Sequence, residues 1–301
     1  MIKRALMILL AVVLVGAASG GGFFATRVAA FNASLEKVYD VPLPQVTAST
    51  DPAVIERGKH LAESLGGCFA CHGDGGANGK VEQMGPIGTL QSPNITTGKN
   101  GRLAGYSDAE LARLIKHGIK KNGTGLVFMP ASDFAWWPMD DVVALISYLR
   151  TVPPKDSEPN ILEVGALGKF LDRMDMMPLD HARRLDHANL PTAPTPTATK
   201  EYGAYIAKLC TGCHGAKLSG GPIPGAPAEL PVPLNLTAHE TGLKDWSYED
   251  FDKLMAQAVR KNGQPLNPFM PIETMKNFNE TEKRALWAYL QSLPALPFGN
   301  R

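Results

Sequence analysis

The sequence predicts an all-α protein made of two tandem copies of one domain behind an N-terminal apolar segment, and three observations lead there. The chain aligns on itself at an offset of 140 to 142 residues. Apolar residues within each copy recur at helical spacing, and no alternating pattern of useful length interrupts them. Finally, Lys3 and Arg4 precede an uncharged stretch from Ala5 to Thr26 that ends at Arg27.

That first stretch suits a bilayer core of about 30 Å, with the basic end retained in the cytoplasm. The competing reading is a cleaved secretory signal, whose apolar part is shorter and is followed by small residues such as Val15-Gly16-Ala17 or Gly16-Ala17-Ala18. Either way the remaining chain is exported. Residues 1–26 are therefore read as anchor or signal segment and 27–50 as a linker, flexible from Asn32 to Thr50.

The first domain is expected over 51–154 and the second over 200–301, with 155–199 between them. A helix from about Pro52 to Gly66 opens the first copy and one from about Lys200 to Leu209 the second. Long Gly- and Pro-rich loops follow, Gly73 to Gly105 and Gly215 to Lys244. Ser107 is a plausible N-cap for a helix that places Leu111, Leu114, Ile115 and Ile119 on one face, and Ser247 opens its counterpart with Phe251, Leu254, Met255 and Ala258. Asn122-Gly123 and Asn262-Gly263 are expected to end these helices as left-handed caps. Closing helices carry Val142 to Leu149 and Ala285 to Leu290, and stop before Pro153 and Pro294. The connector Pro191-Thr192-Ala193-Pro194-Thr195-Pro196 reads as extended and stiff, whereas Ile161 to Met177 should pack against one or both domains.

Each copy begins its loop with one motif: Cys68-Phe69-Ala70-Cys71-His72 and Cys210-Thr211-Gly212-Cys213-His214. Cys-x-x-Cys-His is the attachment signature of c-type haem. On one helical turn, thiols at i and i+3 reach the two vinyl groups of a porphyrin edge, and the next side chain is directed under the iron. The motifs use all four cysteines of the chain. A four-cysteine zinc site fits poorly, because such pairs usually stand about 15–20 residues apart. A thioredoxin-like pair or a disulfide framework leaves the repeated histidine unexplained.

The histidine supplies one axial bond. For the sixth position the best candidates are Met129 and Met270, each in a loop between helices and each followed by proline. A thioether is a soft ligand, and Met/His ligation raises the potential relative to His/His. Met84, Met139, Met255 and Met275 are read as packing. Met174, Met176, Met177, His181 and His187 are alternative ligands in principle. His60 and His117 are read as surface or packing residues, and His239 and the Trp136-Trp137 pair are given no role beyond packing near a haem edge. A net charge of +1, with 44% apolar and 20% charged residues, describes an ordinary soluble portion with no nucleic-acid footprint.

Taken together, the two haem motifs, Pro93-Asn94-Ile95-Thr96, Trp246-Ser247, the Met-Pro pairs and the closing Tyr-Leu helices resemble the membrane-anchored diheme members of the class I cytochrome c family. The chain is similar to the cytochrome c subunits of bacterial alcohol, sorbitol and gluconate dehydrogenases, over roughly 51–154 and 200–295. That resemblance implies a three-helix fold around each of two covalently bound haem c groups, thioether links at Cys68, Cys71, Cys210 and Cys213, and iron ligation by His72 with Met129 and by His214 with Met270. It also implies one-electron transfer on the periplasmic side of a bacterial inner membrane. The partners would be a dehydrogenase subunit, a quinol-cytochrome c oxidoreductase or a terminal oxidase. Those subunits commonly carry three such domains, and this chain has two, which leaves the partner open. The second function class is a diheme peroxidase, which needs an iron with a displaceable sixth ligand; matched methionines in both copies favour the electron carrier, with no catalytic residues of its own.

Overall fold

The computed structural model describes residues 2–77, 79–224, 226 and 229–301, with side chains from Gly16 onward except Ala17. In chain order the helices are α1 (Ile2–Glu36), α2 (Pro52–Glu63), α3 (Cys68–His72), α4 (Asp108–His117), α5 (Ala131–Phe134), α6 (Met139–Thr151), α7 (Ala166–Arg173), α8 (Lys200–Ile206), α9 (Lys208–His214), α10 (Tyr248–Gln257), α11 (Ile272–Met275) and α12 (Glu280–Ser292). Helices α2 to α6 of the first copy recur in the same order as α8 to α12 of the second. Three short strands, β1 (Val81–Gln83), β2 (Gly88–Gln91) and β3 (Leu162–Val164), complete the list.

Those strands correct the all-α expectation. They form an antiparallel sheet in the order β1-β2-β3, with Glu82 opposite Leu90 and Thr89 opposite Glu163. At three or four residues each they are too short for a period of two to register in the sequence. Their glycine-rich surroundings read only as loop.

The chain divides into two compact units. The first comprises Met1–Val46, Ala77–Ala135 and Pro154–Leu190. Here α1 runs on through Arg27 to Glu36, so residues 27–36, expected to belong to the linker, are its last turns. Phe31 on those turns is fully buried against Leu90 and Leu179, with Leu35, Met84, Phe128 and Met177 packed around them. Phe24 stacks on Phe170 of α7 at 5.0 Å, so residues 166–173 do pack, as expected for Ile161 to Met177. For the expected span over 5–26, no helix among the described residues is long and apolar enough to cross a membrane. The side chains of residues 5–15 lie outside the described residues.

The second unit comprises Thr47–Gly76, Trp136–Pro153 and Pro191–Arg301. It therefore holds the whole second copy together with the opening, haem-motif and closing helices of the first. Two helix pairs form its frame, α2 against α6 and α8 against α12. In both pairs the axes approach through a glycine. A Cβ on Gly58 would fall 1.9 Å from the Ala144 carbonyl oxygen, and one on Gly203 would fall 1.9 Å from that of Ala285, with Tyr148 and Tyr289 directly alongside. Only a residue without a side chain permits this spacing.

Local chemistry explains most of the helix ends. Asp51 accepts from the Ala53 amide with Pro52 at the first helical position. Ser107 with Glu110, Ser247 with Asp250 and Asn279 with Glu282 each form reciprocal capping boxes. The C-terminal ends differ from expectation: α4 stops at Gly118 and α10 at Ala258, both left-handed (φ 65° and 56°). Asn122-Gly123 and Asn262-Gly263 instead form tight turns, closed by the bridges Ile119–Gly125 and Val259–Pro265. In each turn the asparagine Oδ1 accepts from the amide two residues on, of Thr124 and Gln264.

Candidate haem-binding sites

In the second copy the five-residue motif forms the last turns of α9, so Cys210, Cys213 and His214 share one short helix. His214 is buried, and its Nδ1 lies 2.7 Å from the carbonyl oxygen of Leu234. A carbonyl only accepts, so Nδ1 carries the proton and Nε2 presents a lone pair. That Nε2 is itself buried and has no hydrogen-bond partner. A tautomer fixed by an outer hydrogen bond, with the opposite nitrogen bare, is the usual arrangement of a metal-ligating histidine. The donor set therefore fits a haem iron. Burial holds the His214 imidazole below its ordinary pKa, a shift that the Leu234 carbonyl opposes and the Arg301 charge adds to.

The first motif forms α3, entered through Gly67 in the left-handed conformation (φ 52°). His72 at its end is buried, as His214 is. As free thiols, Cys68 and Cys210 are both pushed up to about 12, chiefly by burial and then by the neighbouring thiol of each pair. No group of three or more His, Cys, Asp or Glu among the described residues is arranged to hold a metal ion.

Met129 lies in the first unit and Met270 in the second, and their local structure is the same. Each precedes a proline at the start of a short helix. Pro130 (φ −78°, ψ 64°) and Pro271 (φ −75°, ψ 64°) are the centres of inverse γ-turns. The Ala131 amide donates to the Met129 carbonyl at 2.8 Å, and the Ile272 amide to that of Met270 at 2.7 Å. Proline's fixed φ makes this turn inexpensive, and both methionines enter it through the same backbone device.

A second device also recurs in both copies. In the first unit Asn94 Oδ1 accepts from the Thr96 amide, while Asn94 Nδ2 and Thr96 Oγ1 donate to the Lys155 carbonyl at 2.7 and 3.0 Å. In the second unit Asn235 and Thr237 do the same with the Leu296 carbonyl, at 2.8 and 3.2 Å. Each loop that leaves a haem motif is thus tied to the chain just beyond its closing helix.

The alternative ligands weighed from the sequence have other surroundings. Met174 and Met176 are exposed, and Met177 packs beside Phe31. His181 is buried against the Ser132 hydroxyl at 2.8 Å, and His187 meets His117, Nδ1 to Nδ1, at 3.1 Å. His60 Nε2 lies 2.8 Å from Oε1 of the buried Glu282, a contact that no local pattern in the sequence announces.

Comparison with known proteins agrees with this geometry. Residues 201–294 match the cytochrome c family, and residues 53–149 match the family described as cytochrome c oxidase, cbb3-type, subunit III. Both copies are cytochrome c domains. The chain is similar to the cytochrome c subunit of the quinone alcohol dehydrogenase of Gluconacetobacter polyoxogenes, 27% identical over 83% of this chain and 58% of that subunit. It resembles the gluconate 2-dehydrogenase cytochrome c subunit of Pantoea cypripedii at 36% identity, over 32% of this chain and 22% of that one. A diheme c-type cytochrome of Cereibacter sphaeroides is 23% identical over 77% of this chain and 83% of its own length. The chain spans little more than half of the alcohol dehydrogenase subunits it matches. Two cytochrome c domains carry two covalently bound haem c groups.

Proposed function

We propose that this cytochrome passes single electrons on the periplasmic side of the membrane, from a dehydrogenase or a quinol-cytochrome c oxidoreductase to a terminal oxidase. In this reading Cys68, Cys71, Cys210 and Cys213 are the thioether attachment points, and His72 with Met129 and His214 with Met270 are the axial pairs. The observation that carries it is the repeated Met-Pro γ-turn. Two matched thioether donors leave neither copy the open iron position that a peroxidase needs.

The haem supplies a one-electron Fe(III)/Fe(II) couple, and the protein's residues hold it in place. The Leu234 carbonyl fixes the tautomer and ring orientation of His214 and increases its basicity. Pro130 and Pro271 hold the methionine loops, and the Asn94 and Asn235 ties keep each haem-motif loop against its own domain. The names of the relatives support a dehydrogenase as donor. Lys3, Arg4 and the uncharged stretch after them support a single anchor over residues 5–26.

Direct measurements test this reading. Mass spectrometry after acid-acetone extraction should find two haem additions per chain, reduced to one by Cys210→Ala with Cys213→Ala. Redox titration should show two one-electron steps, with no turnover of peroxide. A single haem, or peroxide-dependent oxidation of a donor dye, overturns it. N-terminal sequencing of native protein recovered with membranes should begin at or next to Met1; a mature terminus near Ala18 or Ser19 would remove the anchor.

A further inference from the structure

Within the second unit, the haem-motif side of the first copy meets the methionine side of the second along a seam of specific contacts. A Cβ on Gly67, the residue before Cys68, would lie 3.5 Å from the side chain of Thr274, which follows Met270 on α11. Asn277 Nδ2 donates to the Glu63 carbonyl at 3.0 Å. Beside these, His60 Nε2 of α2 lies 2.8 Å from Oε1 of Glu282, the third residue of α12. Glu282 is 1% exposed. Its other oxygen, Oε2, accepts from the Asn279 amide at 2.9 Å, so both carboxylate oxygens are committed.

The two copies have diverged at the positions that make this seam. Gly58 and Gly203 occupy the same place in their helix pairs, so Arg57 matches Tyr202 and His60 matches Tyr205. Asp141 and Glu282 match as the third residues of the closing helices. Arg57 forms a two-point ion pair with Asp141 of its own copy, at 3.0 and 2.9 Å, and its guanidinium also acts on the Tyr202 hydroxyl. One turn further on, His60 reaches the acid of the other copy. Helix α2 is thus clamped by both closing-helix acids. Helix α8, with tyrosines at the two positions, makes neither clamp. Burial, with the Glu282 charge second, pushes Tyr202 up to about 12 and leaves it a neutral partner for Arg57. Complementary rather than repeated residues are what a fixed junction between duplicated domains requires.

We propose that this seam, centred on the His60–Glu282 pair, sets the separation of the two haem-attachment segments and hence the rate at which an electron crosses from one haem to the other. The proposal rests on the two-haem electron-transfer reading. His60 and Glu282 act as positioning residues. In the step itself one iron is oxidised as the other is reduced; one electron moves, and no bond or proton is exchanged. Because tunnelling falls off exponentially with distance, a small slackening of the seam is read out as a slower rate.

The test uses the full-length holoprotein, flash-reduced to less than one electron per chain, with redistribution between the two haems followed spectroscopically. Glu282→Gln and His60→Ala should each slow redistribution several-fold, with both haem potentials and a haem content of two unchanged. The double variant should be no slower than the slower single variant, because both changes remove one interaction. His60→Gln, which keeps a donor, should recover most of the rate. Asn277→Ala, at an exposed edge of the seam, should fold normally and slow the rate to a smaller degree. Parental rates in the Glu282 and His60 variants, whether or not their melting temperatures fall, overturn the proposal. Failure of the two-haem reading is recognised separately, by a haem content below two in the unmutated protein.

Discussion

Replacing Gly203 by alanine should loosen the second domain more than any other single methyl group added to a helix of the second copy. The new Cβ would lie 1.9 Å from the Ala285 carbonyl oxygen, 2.5 Å from its carbon and 2.8 Å from the Tyr289 Cβ. All three are main-chain or Cβ atoms, so no rotamer change relieves the overlap, and α8 and α12 must separate. Overpacking of this kind costs about 1–3 kcal/mol, and an overlap this deep with a helix backbone belongs at the top of that range. Alanine's better helix propensity offsets roughly 1 kcal/mol. A net loss of about 2 kcal/mol should lower the melting temperature of a domain of this size by roughly 8–16 °C. The assay is thermal unfolding of the holoprotein, followed through the weak long-wavelength sulfur-to-iron band. Gly212→Ala is the control: nothing lies within 4 Å of its new Cβ, and the first copy already carries Ala70 there. It should stay within about 0.5 kcal/mol of the parent. If Gly203→Ala melts with the control, the glycine contact does not set the spacing of the helices, and the same argument for Gly58 fails with it.

Other outcomes follow from single features. Met129→His and Met270→His should each lower the potential of one haem while keeping it six-coordinate, read by redox titration and by loss of part of the sulfur-to-iron band; an unchanged spectrum in the double variant would remove both residues as ligands. Ala258→Gly should stabilise the second domain by up to about 1 kcal/mol, because Ala258 is held at φ 56° where the first copy uses Gly118; denaturant unfolding reads the change, and a loss of stability would refute it. His117 is lowered from 6.5 to about 4, by burial first and then by the charges of His187, Lys116 and Arg113. Unfolded, it takes up a proton near 6.5, so the unfolded state binds more protons in between, and stability falls as pH falls through that window. His117→Gln should flatten this part of the pH profile, measured by melting temperature between pH 7 and pH 4 on the scale set by those two values.

What the sequence revealed was governed by short-range rules. Ser107 and Ser247 are legible as caps because each has an acid three residues on, and the structure uses both. Cysteine spacing located both motifs, since attachment of a haem needs one helical turn and nothing distant. Where two local signals competed, the sequence favoured the wrong one. Asn-Gly reads as a helix end, but Gly118 comes first in α4, and Ala258 adopts the same conformation in α10 against its own preference. Strand β3 pairs with β2 across more than 70 residues, and three residues carry too little periodicity to announce that. The His60–Glu282 pair was invisible for a related reason. A histidine on an amphipathic helix and an acid in a helix's first turn each have a sufficient local explanation, and only the fold brings them together.

The two copies agree where a domain needs something in order to fold and differ where it touches something else. Gly58 and Gly203, Asn94 and Asn235, and Pro130 and Pro271 perform the same task twice. Arg57 and Tyr202 share a position but not a chemistry, and so do His60 and Tyr205. Even identical residues diverge in use. Phe128 packs into the cluster built on Phe31 of α1 and Leu179, whereas its counterpart Phe269, also directly before the axial methionine candidate, is half exposed. Sequence identity between the copies therefore does not imply equal roles. The first copy spends its phenylalanine on holding the N-terminal helix, and the second leaves the same side chain on the surface. A core rule applied to both would overrate Phe269. Truncating Phe128 removes contacts with Phe31 and Leu179, whereas truncating Phe269 leaves most of the core of its unit untouched.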